Sequence, residues 1–416
     1  MRVSFFTQGC RLNQAETALL EQSFSKEGFE IVDFQSPADV VVVNTCTVTE
    51  NGDSDTRRLV NKINRINPDS RIALIGCQAQ ILKDQLLQLP NVEWVVGTAQ
   101  KMRLAYLLAQ PGVFVEKIKP EAFTIEESGI DRHHTRANLK IQDGCDFYCS
   151  FCVIPFARGP ARSRVFDDIL REARELVAAG HKELVLTGVN IGTYANDGRS
   201  FMDIIFELEK IEGLERIRIS SIEPTTIPKE LIEHMRVSKK LCHYLHIPLQ
   251  SGNDTILSAM SRKYSLQEFD KFIQMAHEAI HDICIGTDVI VGFPGESDEL
   301  FEKTLSYLRE APIHYFHVFS YSERKFARSK KIEGKVDEKN IARRSQILRE
   351  LSQRKRRLFT ERFVGKTVRV LFEQKKKGKW TGVTDQFVRV NVESDDDLVN
   401  QIRWITFELD SNGHAD

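Results

Sequence analysis

Long apolar runs are absent from this 416-residue chain, and so is any excess of charge, since 58 Lys and Arg stand against 59 Asp and Glu. The first absence excludes a bilayer-spanning helix, which takes about 20 apolar residues in a row. The second leaves only local charge to point at partners. Cysteine is scarce as well: eight residues, unevenly spread, are too few for a disulfide framework in a chain of this length. Reduced thiols serving as ligands are the better reading. Met1-Arg2-Val3-Ser4 leads straight into an apolar alternation, which predicts no signal peptide and a cytoplasmic location. The 41% of apolar residues is enough to bury real cores, and the length predicts two to four domains.

Six of the eight cysteines form two trios. One is compact: Cys145-Asp146-Phe147-Tyr148-Cys149-Ser150-Phe151-Cys152. Three thiolates can hold an iron–sulfur cluster and leave one iron without a protein ligand, open to chemistry. A closed structural zinc site needs a fourth ligand, and no second pair stands nearby. The ferredoxin spacings also supply a fourth cysteine that this segment lacks.

The second trio is dispersed. Residues 1 to about 120 alternate strand-like segments (Val3–Thr7, Ile31–Phe34, Val40–Asn44, Ile72–Ile75, Trp94–Val96) with helical ones such as Ala15–Lys26 and Ser54–Ile66, the pattern of a parallel-sheet α/β domain. Cys10, Cys46 and Cys77 each stand just past a strand. The carboxyl ends of such strands share one edge, where ligands bind, so the three can converge in space. Core packing is the competing account, since free cysteine is often buried. That account suits Cys242 and Cys284, which lie beside and within apolar strands.

From about residue 135, six βα units are expected, with strands Asn138–Gln142, Glu183–Val189, Arg216–Ser220, His243–Leu249, Cys284–Val291 and Tyr315–Tyr321. The helix Asp167–Ala179, with Asp167 as N-cap and Gly180 as its stop, is the clearest of those between. Six units make a partial barrel, and Cys145–Cys152 occupies the loop after its first strand, where barrel enzymes keep their reacting groups. Residues 324 to 362 hold fifteen Lys and Arg against five Asp and Glu, an electrostatic footprint suited to phosphates. A helical stretch, Glu338–Phe363, leads into four strands, Thr367–Phe372, Trp380–Val383, Phe387–Val392 and Arg403–Glu408, with Glu373–Gly378 as a hairpin loop.

The CxxxCxxC spacing with Phe151 before the third cysteine resembles the signature of the radical S-adenosylmethionine (SAM) enzymes. Gln142-Asp143-Gly144-Cys145, Ile154-Pro155-Phe156-Ala157-Arg158-Gly159-Pro160, Thr7-Gln8-Gly9-Cys10-Arg11-Leu12-Asn13-Gln14-Ala15-Glu16 and Asn44-Thr45-Cys46 resemble the methylthiotransferase branch of that superfamily. The resemblance implies two four-iron, four-sulfur (4Fe-4S) clusters. Cys145, Cys149 and Cys152 would hold the one that binds SAM, and Cys10, Cys46 and Cys77 an auxiliary one. It also implies SAM neighbours at Gly188, Asn190 and Asp288. Three domains follow: an N-terminal methylthiotransferase domain (1–120), a partial (β/α)6 radical SAM barrel (131–360), and a small RNA-binding β-barrel of the TRAM type (361–416). In the last, Lys375, Lys376, Lys377, Lys379 and Trp380 are candidate phosphate and stacking contacts.

Within the family, Thr187-Gly188-Val189-Asn190-Ile191-Gly192 and Ser220-Ser221-Ile222-Glu223-Pro224 resemble most the branch that methylthiolates carbon two of threonylcarbamoyladenosine beside the tRNA anticodon. Branches acting on isopentenyladenosine or on a ribosomal-protein aspartate are the alternatives, and a non-enzymatic zinc-stapled RNA-binding protein is the alternative of another class. The implied chemistry breaks an unactivated C–H bond, which no side-chain acid or base can do, and calls for an electron donor such as flavodoxin or ferredoxin. One segment departs from the family's Tyr-Ser-x-Arg-x-Gly-Thr-x-Ala: here it reads Tyr321-Ser322-Glu323-Arg324-Lys325-Phe326-Ala327-Arg328.

Overall fold

The computed structural model describes residues 1–47, 50–130 and 134–409; the expected start of the second domain at 131 and the last residues of the third, 410–416, lie outside them. The first layer is a six-stranded parallel sheet in the order β2-β1-β3-β4-β5-β6. Its strands are β1 (Arg2–Thr7), β2 (Glu30–Val32), β3 (Val40–Thr45), β4 (Arg71–Gly76), β5 (Val92–Val96) and β6 (Gly112–Phe114). β3 is central because Val40, Val41, Val42 and Val43 are all fully buried. Val40 and Val42 pack on one face and Val41 and Val43 on the other, as expected of a strand covered by helices on both sides. Two of the covering helices are α1 (Arg11–Lys26) and α2 (Glu50–Ile66).

The six expected barrel strands are all present, as β7 (Ala137–Lys140), β8 (Glu183–Thr187), β9 (Arg216–Ile219), β10 (Tyr244–His246), β11 (Cys284–Val291) and β12 (Tyr315–Ser320). They form two parallel three-stranded runs, β9-β8-β7 and β10-β11-β12, joined by a bridge from Ile217 to Leu241. Leu139, Leu184, Leu186, Ile217, Ile219, Leu245, Ile285 and Phe316 pack in the main core. The period of two therefore turns Lys140, Glu183, Arg218, His246, Asp288 and His317 toward the lumen. The helix α3 runs Phe166–Ala178, so Asp167 lies in its first turn and is not its N-cap; Val165 holds that place without a side-chain cap. Asp168 is the acid that works there, accepting from Ile125 N at 2.8 Å and Arg164 Nε at 2.7 Å.

The long basic helix α4 (Glu338–Glu361) packs against β12, with Ser352 Oγ accepting from Phe316 N at 2.8 Å. It hands the chain to a four-stranded antiparallel half-barrel in the order β15-β14-β13-β16, built from β13 (Thr367–Lys376), β14 (Lys379–Thr384), β15 (Arg389–Glu393) and β16 (Ile402–Thr406). The hairpin is tighter than the sequence reading placed it. Only Lys377 (φ +48°) and Gly378 (φ +83°) form the turn, a two-residue type that requires positive φ at both positions. This half-barrel plugs the amino ends of the barrel strands: Arg216 donates to Val383 O at 3.0 Å, and Arg218 to Asp385 O at 2.9 Å and Thr384 O at 3.1 Å.

Candidate active site

Adjacent parallel strands place the dispersed cysteines together. The register pairs Thr7 with Asn44 and Thr45 with Gly76, so Cys10, Cys46 and Cys77 leave neighbouring strands at one edge. Gly9 (φ +91°) makes the approach possible: a Cβ there would sit 2.7 Å from Cys46 Sγ. Cys10 is the N-cap of α1, whose amino end carries partial positive charge and favours a bound anion. Cys77, fully buried, has its thiol pushed up by desolvation against the opposing pull of Arg158 and Lys101.

The compact trio sits at the carboxyl end of β7. Gly144 (φ +73°) starts the loop where a side chain would collide with the Pro160 carbonyl. Burial raises the Cys145 thiol to about 11 and the Cys152 thiol to about 12. It raises Cys149 too, against the guanidinium of Arg262, which donates to Cys149 Sγ at 3.2 Å. Buried thiols of this kind hold their protons until a cation takes the protons' place.

The donor set decides between a single ion and a cluster. A tetrahedral zinc with Zn–S near 2.3 Å draws its sulfurs to about 3.8 Å from one another. Among the described residues only His246, Asp288 and His317 bring three ligand atoms within 4.8 Å of one another, so both cysteine trios are spread more widely than one ion requires. Three soft, widely set sulfurs fit a multi-iron centre.

Between the trios lies a buried charge network. Glu16 of α1 is held by Lys101, by Lys140 at 2.7 Å and by Arg158 at 3.0 Å; Asp143 is held by Lys140 at 2.7 Å, Arg158 at 2.9 Å and Arg162 at 3.3 Å. Arg158 also donates to Asn13 Oδ1 at 2.6 Å. Two carboxylates face four cations, and the surplus positive charge beside Cys77 suits a thiolate-bound anionic group. Burial raises the Glu16 carboxyl, but Arg158, Lys101 and Lys140 outweigh it and hold the group well below the usual carboxylate range.

The three expected SAM neighbours do not share one cavity. Asn190 is 1% exposed, its Nδ2 has no partner, and it lines a cavity of about 360 Å³ with Cys145, Phe147, Arg162 and Ser163. Gly188 is packed against the Gln142 backbone, and the amides of Val189 and Asn190 are taken by Gln142 Oε1 at 2.9 Å each. Asp288 lines a separate cavity of about 160 Å³ with Phe151, Gln250, Phe319, Tyr321 and Arg324. There it pairs with His246 Nε2 at 3.1 Å; burial opposes its ionisation, but His246, with His317 and Arg262, outweighs that and holds the carboxyl low.

In the half-barrel, Lys375, Lys376, Lys377 and Lys379 stand exposed around the turn. Trp380 corrects the sequence reading. It is 6% exposed and packs with Phe372, Val390 and Phe407, so it offers no face to a base; Trp404 on β16, at 69%, is the exposed indole. Cys242 and Cys284 are buried among Tyr244, Tyr315 and Phe363. Sequence reasoning missed Arg262, which joins Cys149, Glu223 and Tyr264. It also missed Arg324 and Arg328, which reach Thr47 and Tyr148.

Residues 139–308 match the Radical SAM superfamily, and residues 2–97 match the uncharacterized protein family UPF0004. The chain is 36% identical over 418 residues to the threonylcarbamoyladenosine tRNA methylthiotransferase MtaB of Bacillus subtilis, covering 96% of this chain and 92% of that protein. It is 39% identical over 379 residues to the Aquifex aeolicus protein of the same name, covering 89% and 92%. To the tRNA-2-methylthio-N(6)-dimethylallyladenosine synthase of Thermodesulfovibrio yellowstonii it is 33% identical over 401 residues, covering 94% and 92%. Among solved structures, the radical SAM methyltransferase TsrM of Kitasatospora setae shares the fold with a TM-score of 0.55 at 16% identity, covering 77% of this chain and 74% of that one. With both matched segments carrying a cysteine trio at a sheet edge, and with whole-length relatives above 30% identity, the chain belongs to the radical SAM tRNA methylthiotransferases.

Proposed function

We propose that this enzyme adds a methylthio group to carbon two of threonylcarbamoyladenosine beside the anticodon of tRNA, in the cytoplasm. We assign Cys145, Cys149 and Cys152 to the cluster that binds SAM, and Cys10, Cys46 and Cys77 to a second 4Fe-4S cluster. The observation that carries the reading is the meeting of the two trios across the Glu16–Arg158 network. When bound, these groups would supply the electron that cleaves SAM, the SAM-derived radical that takes the hydrogen from carbon two, and the sulfur, with a second SAM supplying the methyl group; a flavodoxin- or ferredoxin-like donor would supply the electrons.

The chain's own residues bind and orient. Asn190 Nδ2, buried and free to donate, supports a SAM oxygen in the cavity beside Cys145. Arg262 fixes the Cys149 loop against Glu223. The lumen wall favours the threonylcarbamoyl group over a dimethylallyl one. His246, Asp288 and His317 present donors and acceptors to a substituent with a hydroxyl, a urea and a carboxylate, whereas an apolar chain would cover this polar wall without using its remaining hydrogen-bonding capacity. The half-barrel, its strands lying within residues 367–406, with its lysine-rich turn supports an RNA-binding role.

The dimethylallyl name of the T. yellowstonii relative supports a second reading, in which isopentenyladenosine is the substrate. Reconstituted enzyme given anticodon stem-loops carrying either nucleoside separates the two. Mass spectrometry should find the methylthio product only from threonylcarbamoyladenosine; product only from isopentenyladenosine would reject the assignment. Iron and sulfide counts on the two Cys-to-Ala triples test the clusters, since each triple should lose about half of the iron.

A further inference from the structure

Phe156 and Phe326 lie on different segments yet stack on one another, ring centroids 5.6 Å apart at an interplanar angle of 28°. Both stay open to solvent, at 46% and 40%. Phe156 stands four residues past Cys152 in the short helix Ile154–Arg158, whose neighbouring Pro155, Ala157 and Arg158 are buried. Phe326 replaces the glycine of the family pattern, so the departure noted in the sequence has become an exposed aromatic surface. The segment carrying it spans the mouth of the site. Arg324 donates to Thr47 O at 2.9 Å beside Cys46, and Arg328 donates to Tyr148 O at 2.6 Å inside the Cys145–Cys152 loop.

Cations surround the pair. Lys325 Nζ lies 5.7 Å from the Phe326 ring centroid, and Arg328, Lys330 and Lys331 are exposed within the next five residues. A single exposed phenylalanine needs no explanation. Two stacked ones, held at the rim between the cysteine trios and fringed by cations, have the composition of a single-strand platform: a π-face for a base and positive charge for the flanking phosphates.

We propose that Phe156 and Phe326 form a stacking platform for a nucleobase of the anticodon loop adjacent to the target adenosine, with Lys325, Lys330 and Lys331 meeting its phosphates. This rests on the tRNA reading above. A base stacked on the rim keeps the loop splayed and leaves the neighbouring target free to enter the lumen, at an unstacking cost of a few kcal/mol.

The test uses the full-length protein and a synthetic anticodon stem-loop with 5-iodouridine next to the target position. Long-wavelength irradiation should cross-link peptides containing Phe156 or Phe326. The double variant Phe156→Leu/Phe326→Leu keeps the apolar bulk, removes both rings and should weaken binding about tenfold to a hundredfold, while Phe326→Trp should bind at least as well as wild type. Thermal melting of each variant verifies folding. If the wild type binds the stem-loop no better than an unrelated hairpin, the tRNA reading falls and this proposal with it. If it binds well, but cross-links elsewhere and the double Leu variant binds equally, the platform alone is wrong.

Discussion

Arg324 reaches across 277 residues to Thr47, its Nη2 donating to both the carbonyl and the hydroxyl, at 2.9 and 2.7 Å. Thr47 follows Cys46, so the barrel's last strand-end loop holds the Cys46 loop of the N-terminal sheet directly. Arg324 is 8% exposed, and hydrogen bonds from a charged donor contribute about 1.5–3 kcal/mol. Arg324→Met should therefore loosen the 45–47 segment without unfolding the barrel. Hydrogen exchange should show faster amide exchange around Cys46 with β10 and β11 unchanged; uniform protection in both proteins would refute the role.

The Glu16 network sets a larger effect. Removing one member of a buried charge group leaves its partners charged and dry, at about 3–5 kcal/mol. Glu16→Leu strands Lys101 and leaves Lys140 and Arg158 to share Asp143 alone, so urea unfolding of the cysteine-reduced apo protein should show a loss of that order. The double variant Glu16→Leu/Lys101→Met should recover part of it. A Glu16→Leu loss below about 1 kcal/mol would mean that the cations find water.

At the opposite end of the barrel, Glu183 gives a pH dependence of defined sign. Burial raises its carboxyl, but Arg218, then Arg136 and Arg216, outweigh that and hold it at about 2, against an ordinary 4.5. A depressed carboxyl stabilises the fold above its unfolded value, and that stability disappears as pH falls from about 4.5 toward 2. The shift corresponds to about 3 kcal/mol, of which about 2 is gone by pH 3. Urea midpoints at pH 7 and pH 3 should therefore differ less in Glu183→Gln than in wild type. Equal differences would show that Glu183 is not among the titrating groups.

Much of this architecture was legible in the chain, for identifiable reasons. The Val40–Val43 run admits little but a strand buried on both faces, and Cys10, Cys46 and Cys77 each follow such a strand. The trios stood out because the ligation we propose for them restricts residue type as well as spacing. β6 escaped notice because three residues, Gly112–Phe114, carry no period. Trp380 was misread because its exposure depends on which face of the half-barrel is concave, and lysines on both sides disguised the answer. The arginines were illegible for a plainer reason: Arg262, Arg324 and Arg328 find their partners 113, 277 and 180 residues away, and only the fold brings them together.

Arg262 yields the prediction closest to the chemistry. Its side chain is 2% exposed, it pairs with Glu223, and it lies 5.0 Å over the Tyr264 ring while donating to Cys149 Sγ. Burial pushes the Glu223 carboxyl up, with Arg262 opposing, so the pair shares one pocket against the sulfur. Positive charge and N–H donors at a ligating sulfur favour the reduced state of an iron–sulfur centre. In reconstituted enzyme, Arg262→Met should lower the reduction potential of that centre by tens of millivolts, on the order of 1 kcal/mol. Glu223→Gln, which leaves the guanidinium unopposed, should raise it. Redox titration followed by electron paramagnetic resonance reads both, and two shifts of the same sign would show that Arg262 serves only to pack the loop.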